Sequence, residues 1–281
     1  MTTFGALMFP TDYAIQPIPL AKAVEARGLE SLFFPEHTHI PTSRRSAYPG
    51  GGDLPREYSH THDPFVSLMA AAAATEKLIV GTGILLVPER DPIVTAKQIA
   101  SLDMISGGRA IIGIGAGWNA EELESHGVAF KDRWKVTRES VLAWRELWTQ
   151  EEAEYHGEFI DFEKSWSYPK PVTPGGPPVL LGADSKWAYD RVAEYCDGWM
   201  PINGRGDLRA GMEELKAACE RAERDFSELD LAVFGVGPKE ERATELMEIG
   251  FDHLVFQLPP EPEENVLPIL DGYAKLAESL R

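Results

Sequence analysis

The chain has 281 residues, 43% of them hydrophobic and 26% charged, and a formal net charge of -18. This is the balance of a folded protein with a sizeable core, and the length suits one large α/β barrel or two smaller domains. The acidity argues against a nucleic-acid backbone or an anionic membrane as partner.

The elements predicted in chain order alternate. Strands are expected at Phe4–Phe9, Ser31–Phe34, Leu78–Ile84, Ala110–Ile114, Val179–Leu181, Trp199–Ile202, Leu231–Val236 and His253–Leu258. Helices between and after them are expected at Leu20–Arg27, Phe65–Thr75, Ile93–Ile105, Trp134–Thr149, Trp187–Tyr195, Leu208–Ala222, Glu240–Ile249 and Val266–Leu280. The strands are nearly all apolar, as required when both faces of a sheet are covered. Strand–helix pairs that continue unbroken to the C-terminus predict an α/β fold of the (β/α)8 barrel type, residues 1–281 forming a single domain, over a doubly wound open sheet.

Two insertions interrupt the repeat. Thr38–Asp63, after strand two, is long and polar; it reads as a lid or substrate wall, or as a mobile insertion without function. Ala153–Phe162, between the fourth helix and strand five, reads as a hairpin turning at His156-Gly157, followed by five prolines from Pro169 to Pro178. In the helix before it, Trp134, Val141, Trp144 and Trp148 share one face, a pattern of core packing.

The two cysteines, Cys196 and Cys219, form no C-x-x-C pair, so reduced thiols in a cytoplasm are the expectation. No basic leader precedes an apolar run, and no run reaches membrane-spanning length.

Chemistry is expected at the carboxyl ends of the strands. Gly113-x-Gly115-x-Gly117 suggests a dinucleotide fingerprint, but G-x-G-x-x-G/A would place its last small residue at Trp118, and tryptophan cannot pack there. A glycine-rich strand end remains, either for close approach of a ligand or for steric relief at the rim. Glu36-His37 follows strand two: His37 is an acid–base candidate beside a carboxylate, or a hydrogen-bonded rim histidine. His37-x-His39 and His60-x-His62 raise a metal reading, but His126, His156 and His253 do not supply further ligands at later strand ends. Gly182-Ala183-Asp184-Ser185 precedes a helix expected near Lys186; it suits a phosphate, and Asp184 or Ser185 suits an N-cap. Neither a G-x-S-x-G elbow nor a Walker pattern is present.

The ordered set resembles the bacterial luciferase-like flavin and deazaflavin oxidoreductases across nearly the whole chain. It comprises Glu36-His37, Gly81-Thr82-Gly83-Ile84, Asp91-Pro92 with Ala96-Lys97, and Ser106-Gly107-Gly108-Arg109. Gly115-Ala116-Gly117-Trp118 with Glu121-Glu122, Pro178-Val179 through Ser185, and Asp197-Gly198-Trp199 complete it. The flavour is closest to the subgroup that uses the deazaflavin coenzyme F420. The resemblance implies a non-prolyl cis peptide at Gly83–Ile84 backing the ring. It implies Glu36, Ala116, Gly117 and Glu121 around the cofactor and Gly182, Ala183, Asp184 and Ser185 at its phosphate. His37 is implied as the catalytic group.

Where sugar-phosphate-oxidising relatives carry Glu, this chain has Trp118, which points instead to an apolar or planar substrate. The expected activity is hydride transfer between F420 and a small organic substrate. The alternative is an FMN-dependent monooxygenase using reduced flavin and oxygen, with a partner reductase. A non-catalytic flavin-carrier barrel is a third reading. The resemblance also implies a homodimer.

Overall fold

The computed structural model describes residues 2–281 and is a closed barrel. In chain order the elements are β1 (Thr3–Leu7), α1 (Pro17–Ala26), β2 (Ser31–Phe34), α2 (Pro64–Ala73), β3 (Ile79–Leu86), α3 (Pro92–Ser106) and β4 (Ala110–Gly115). A short helix α4 (Ala120–Ser125) and the long α5 (Arg133–Thr149) follow, then the hairpin β5 (Ala153–His156) and β6 (Asp161–Ser165). The barrel resumes with β7 (Val179–Leu181), α6 (Ala188–Tyr195), β8 (Gly198–Trp199), α7 (Leu208–Arg221), β9 (Asp230–Val236), α8 (Glu240–Ile249), β10 (His253–Gln257) and α9 (Glu263–Leu280).

Eight parallel strands pair in sequence order, and β1 pairs with β10 to close the ring. The (β/α)8 prediction is therefore met. A small cluster fills the barrel interior, including Leu7, Phe33, Leu180, Met200 and Val255. The larger core lies between the barrel and its helices. The expected apolar face of α5 belongs there: Val141, Trp144 and Trp148 are buried. Their indoles are satisfied by backbone of α3, Trp144 Nε1 donating to the Pro92 carbonyl and Trp148 Nε1 to that of Ala96, each at 3.0 Å. Trp134, the second residue of the helix, packs partly buried against the same core and also lines a cavity described below.

Element ends follow local chemistry. Asp63, Asp91 and Asp207 cap α2, α3 and α7 through side-chain acceptance of amide N–H groups. Gly107 ends α3 at φ 73°, a left-handed conformation that glycine adopts without a Cβ penalty. The strand expected over Trp199–Ile202 pairs regularly only at Gly198–Trp199, because Pro201 has no N–H for the ladder. The helix expected near Lys186 begins at Ala188, and neither Asp184 nor Ser185 caps it. Among the described residues, no helix is long and apolar enough to cross a membrane.

His253 opens β10 at the amino end of the barrel, with Nε2 2.7 Å from the Ser31 hydroxyl. Burial pushes its pKa from 6.5 down to about 4. The unfolded chain therefore binds one more proton than the folded one between those values, so stability is full above the unfolded pKa and is lost as pH falls. The expected loss is about 3 kcal/mol. Thermal or denaturant unfolding between neutral pH and pH about 4 checks this: His253→Gln should show a visibly shallower acid dependence than the wild type.

Candidate active site

The carboxyl ends of the strands surround a cavity of about 770 Å³. That volume accommodates a tricyclic ring with a small second molecule. One side is apolar: Leu7, Ile84, Ile202 and Phe234 rise from β1, β3, the segment after β8 and β9. The register between β3 and β4 shifts between Thr82 and Leu85, and the Gly83–Ile84 peptide in that bulge is cis, as the resemblance implied. Small residues form a cradle against it, namely Gly115, Ala116 and Gly117 after β4 and Gly182 and Ala183 after β7. Two of them are small of necessity. A Cβ on Gly182 would lie 2.1 Å from Ile84 Cδ1, and Gly117 sits at φ 76°. Flat backbone beside a cavity of this size fits a ring cofactor of the flavin type.

The opposite wall is aromatic. Tyr48 and Tyr58 come from the long loop, Trp118 from the end of β4, Phe9 from the end of β1 and His37 from the end of β2. Ring centroids lie 4.9 Å apart for His37–Tyr58, 5.3 Å for Tyr48–Tyr58 and 6.0 Å for both His37–Trp118 and Tyr48–Trp118. Burial raises the Tyr58 phenol well above its ordinary pKa, so it stays neutral. The long loop is thus a wall of the site and is tied down in several places. Glu121 accepts from the Ser46 amide at 2.9 Å and the Ser46 hydroxyl at 2.5 Å. Arg45 pairs with Glu124, and Thr38 meets His126 at 2.7 Å.

Electrostatics concentrate behind His37. Its Nδ1 lies 3.0 and 2.9 Å from the two oxygens of Glu122, which is fully buried. A carboxylate only accepts, so Nδ1 carries the proton and Nε2 is left without a protein partner. Glu36 accepts from the Leu86 amide at 2.8 Å and from Arg90 Nε at 2.6 Å. Arg90 also reaches Asp63 and lies over the Phe65 ring. Burial pushes the Glu36 carboxyl up, and the Arg90 guanidinium and Leu86 amide oppose that.

Of the residues expected at the site, Glu36, His37, Gly83, Ile84, Ala116, Gly117, Gly182 and Ala183 line one cavity. Glu36 does so with its carboxylate turned to Arg90 and β3, which suits it to positioning its neighbour His37. Glu121, Asp184 and Ser185 do not line the cavity. Glu121 points to the loop instead: burial pushes its carboxyl up, but the Ser46 hydrogen bonds outweigh this and hold it at about 2. Adjacent helical residues project about 100° apart, so on α4 Glu121 faces the loop while Glu122 faces His37. The Asp184 carboxylate turns to Gly206, and the Gly182 amide is spent on the Ile114 carbonyl at 2.8 Å, so this segment is a weaker phosphate cradle than expected.

Sequence reading missed Tyr48, Tyr58, Trp134 and Arg205. Arg205, after β8, is the single Lys or Arg among the described residues lining the cavity. Its signal was faint, one cation in the glycine-rich run Asn203–Gly206. The two H-x-H pairs do not converge: His60 pairs with Asp12, and His39 meets Thr38 and His126.

The family model for luciferase-like monooxygenases matches residues 15–270. An uncharacterized protein of Mycobacterium tuberculosis, Rv0953c, is 37% identical over 278 residues, 98% of each chain. A 5,10-methylenetetrahydromethanopterin reductase of Methanolobus tindarius is 26% identical over 83% of this chain and 64% of its own. Among solved structures, the monooxygenase RslO1 of Streptomyces bottropensis superposes with a TM-score of 0.83 at 18% identity, covering 99% of both chains. An F420-dependent secondary alcohol dehydrogenase does so with a TM-score of 0.80 at 16% identity, covering 100% of this chain and 99% of the other. Luciferase-like relatives are oxidoreductases that use F420 or FMN, and this chain belongs to the luciferase-like monooxygenase family.

Proposed function

We propose that this protein is an oxidoreductase that transfers a hydride between coenzyme F420 and a small, apolar or planar organic substrate. The observation that carries the reading is the pairing, across one cavity, of a small-residue cradle on Ile84 with His37, whose ring is held by a buried carboxylate. Gly115, Ala116, Gly117, Gly182 and Ala183 would hold the ring edge, and Arg205 would anchor an anionic tail. The deazaflavin, when bound, supplies hydride transfer at its C5. His37 Nε2 takes the proton from a substrate hydroxyl as the hydride leaves its carbon, and returns it in the reverse direction. Glu122 fixes the tautomer and stabilises the imidazolium formed. Tyr48, Tyr58 and Trp118 stack the substrate and exclude water. The FMN monooxygenase reading keeps the same residues and adds a partner reductase; it is supported by a 30% identical relative named FMNH2-dependent dimethylsulfone monooxygenase of Pseudomonas putida, matched over 56% of this chain. We further propose a homodimer packed through barrel helices, which light scattering checks.

Titration of the purified protein with F420 and, separately, with FMN is the primary experiment. Saturable fluorescence change and thermal stabilisation with F420 are expected; no response to either ligand would overturn the reading, and tight FMN binding alone would transfer it to the monooxygenase. Arg205→Met should weaken cofactor binding about 10-fold or more by removing a charge-assisted contact, while leaving melting unchanged. His37→Ala should keep cofactor affinity and lower kcat by roughly 10²–10⁴-fold, measured at saturating cofactor. Undiminished turnover in that variant would reassign the protein to cofactor carriage.

A further inference from the structure

Glu89 takes no part in the site described above, yet it lies against it. It ends the single 3-10 turn that follows β3, and it is 5% exposed. Neither of its carboxyl oxygens has a hydrogen-bond partner. A Cβ on Gly117 would lie 3.6 Å from its Oε1, so the carboxyl sits directly behind the backbone of the cofactor cradle. Its charged neighbours are Glu122, Glu36 and Arg90.

The cation-capable groups in this volume are already committed. Arg90 pairs with Glu36 and Asp63. His37 pairs with Glu122. Glu89, a fourth carboxylate, has no cation left to meet, and an isolated buried anion is strongly disfavoured. A proton on Glu89 removes that charge and converts an unpartnered acceptor into a donor. Glu36 is occupied by the Leu86 amide and Arg90, whereas Glu122 accepts only from His37 and retains free lone pairs.

We propose that Glu89 is a positioning residue: as a neutral carboxylic acid it donates its proton to Glu122, forming a relay His37–Glu122–Glu89 behind the cavity wall. Burial and the neighbouring carboxylates of Glu122 and Glu36 push Glu89 up to about 10, in keeping with that state. Glu122 is then shared between two donors. Its oxygens are fixed in the plane that His37 Nδ1 requires, and its basicity toward the imidazole is moderated. This inference deepens the reading of His37 as the proton-handling group and rests on it.

The test uses infrared difference spectroscopy and nitrogen-15 NMR of the full chain, neither of which needs turnover. A carboxylic-acid C=O band is expected at neutral pH that disappears in Glu89→Gln and persists in His37→Gln. The Gln amide can donate to Glu122 in place of the acid, so Glu89→Gln should keep the His37 Nδ1–H signal and kcat within about 3-fold of wild type. Glu89→Leu should displace that signal and lower kcat about 10-fold or more, the loss of one hydrogen bond to a charged group. Absence of any band that Glu89→Gln removes would overturn the proposal, as would equal displacement of the His37 signal in the Gln and Leu variants. Should Glu89→Leu fail to fold, the infrared comparison with Glu89→Gln decides alone. A failure of the acid–base reading is separable: His37→Ala would retain turnover while the Glu89 band remained.

Discussion

The rim of this barrel depends on one buried guanidinium. Arg90 leaves the end of β3 and binds Glu36 at the end of β2, Asp63 at the end of the long loop and Gln98 on α3. It also covers the Phe65 ring at 4.9 Å. The end of β2, the Asp63–Phe65 segment and α3 thus converge on a single planar fork of donors, a geometry that Lys cannot supply. Because Glu36 is held from behind by Arg90 and the Leu86 amide, the next residue, His37, is presented to the cavity at a defined place. Because Asp63 is held as well, the aromatic loop before it returns to the same rim, and α2 starts where it must.

That ion pair also leaves the neighbouring carboxyl without a cation. With Arg90 committed to Glu36 and Asp63 and His37 hydrogen-bonded to Glu122, burial and the adjacent carboxylates push Glu89 up. His37 and the glutamates beside it therefore form one electrostatic unit. The cradle glycines stand in front of that unit and admit a flat ring close to it. In a protein of net charge -18, Arg205 is a local exception to the field within the cavity.

Much of the barrel was legible from sequence, for a physical reason. Strands covered on both faces must be apolar throughout, and Ser31–Phe34 and Val179–Leu181 were placed at their observed bounds from that run alone. The shortfall at Trp199–Ile202 came from Pro201, whose missing N–H ends pairing although the segment is still apolar and extended. The short helix α4 was invisible because six residues carry too little periodicity to read. Around the cavity, Ala116, Gly117, Gly182 and Ala183 stand in small-residue runs that leave a mark on the sequence, whereas Gly83 and Ile84 were reached through the family resemblance. Glu121 was expected at the cofactor and Glu122 was given no role, since a pattern cannot say which of two adjacent glutamates a helix turns inward.

The apolar strand runs, the glycine-rich ends and the placement of His37 after β2 follow from the chain itself, because they are properties of contiguous residues and of the end of a strand at which they stand. The partners of those residues were decided only by the closed barrel. Tyr48 and Tyr58 reach the site through a loop whose return is set by Arg90, Trp134 at the start of its helix's stripe borders the cavity as well as the core, and Arg205 reaches the rim from a segment with no recognisable pattern. Above all, the convergence of Glu36, Glu89 and Glu122 on two cation-capable groups exists only when β2, β3 and α4 are brought together. Burial and charge matching are collective quantities, fixed by which surfaces meet and not by the order of residues along any one of them.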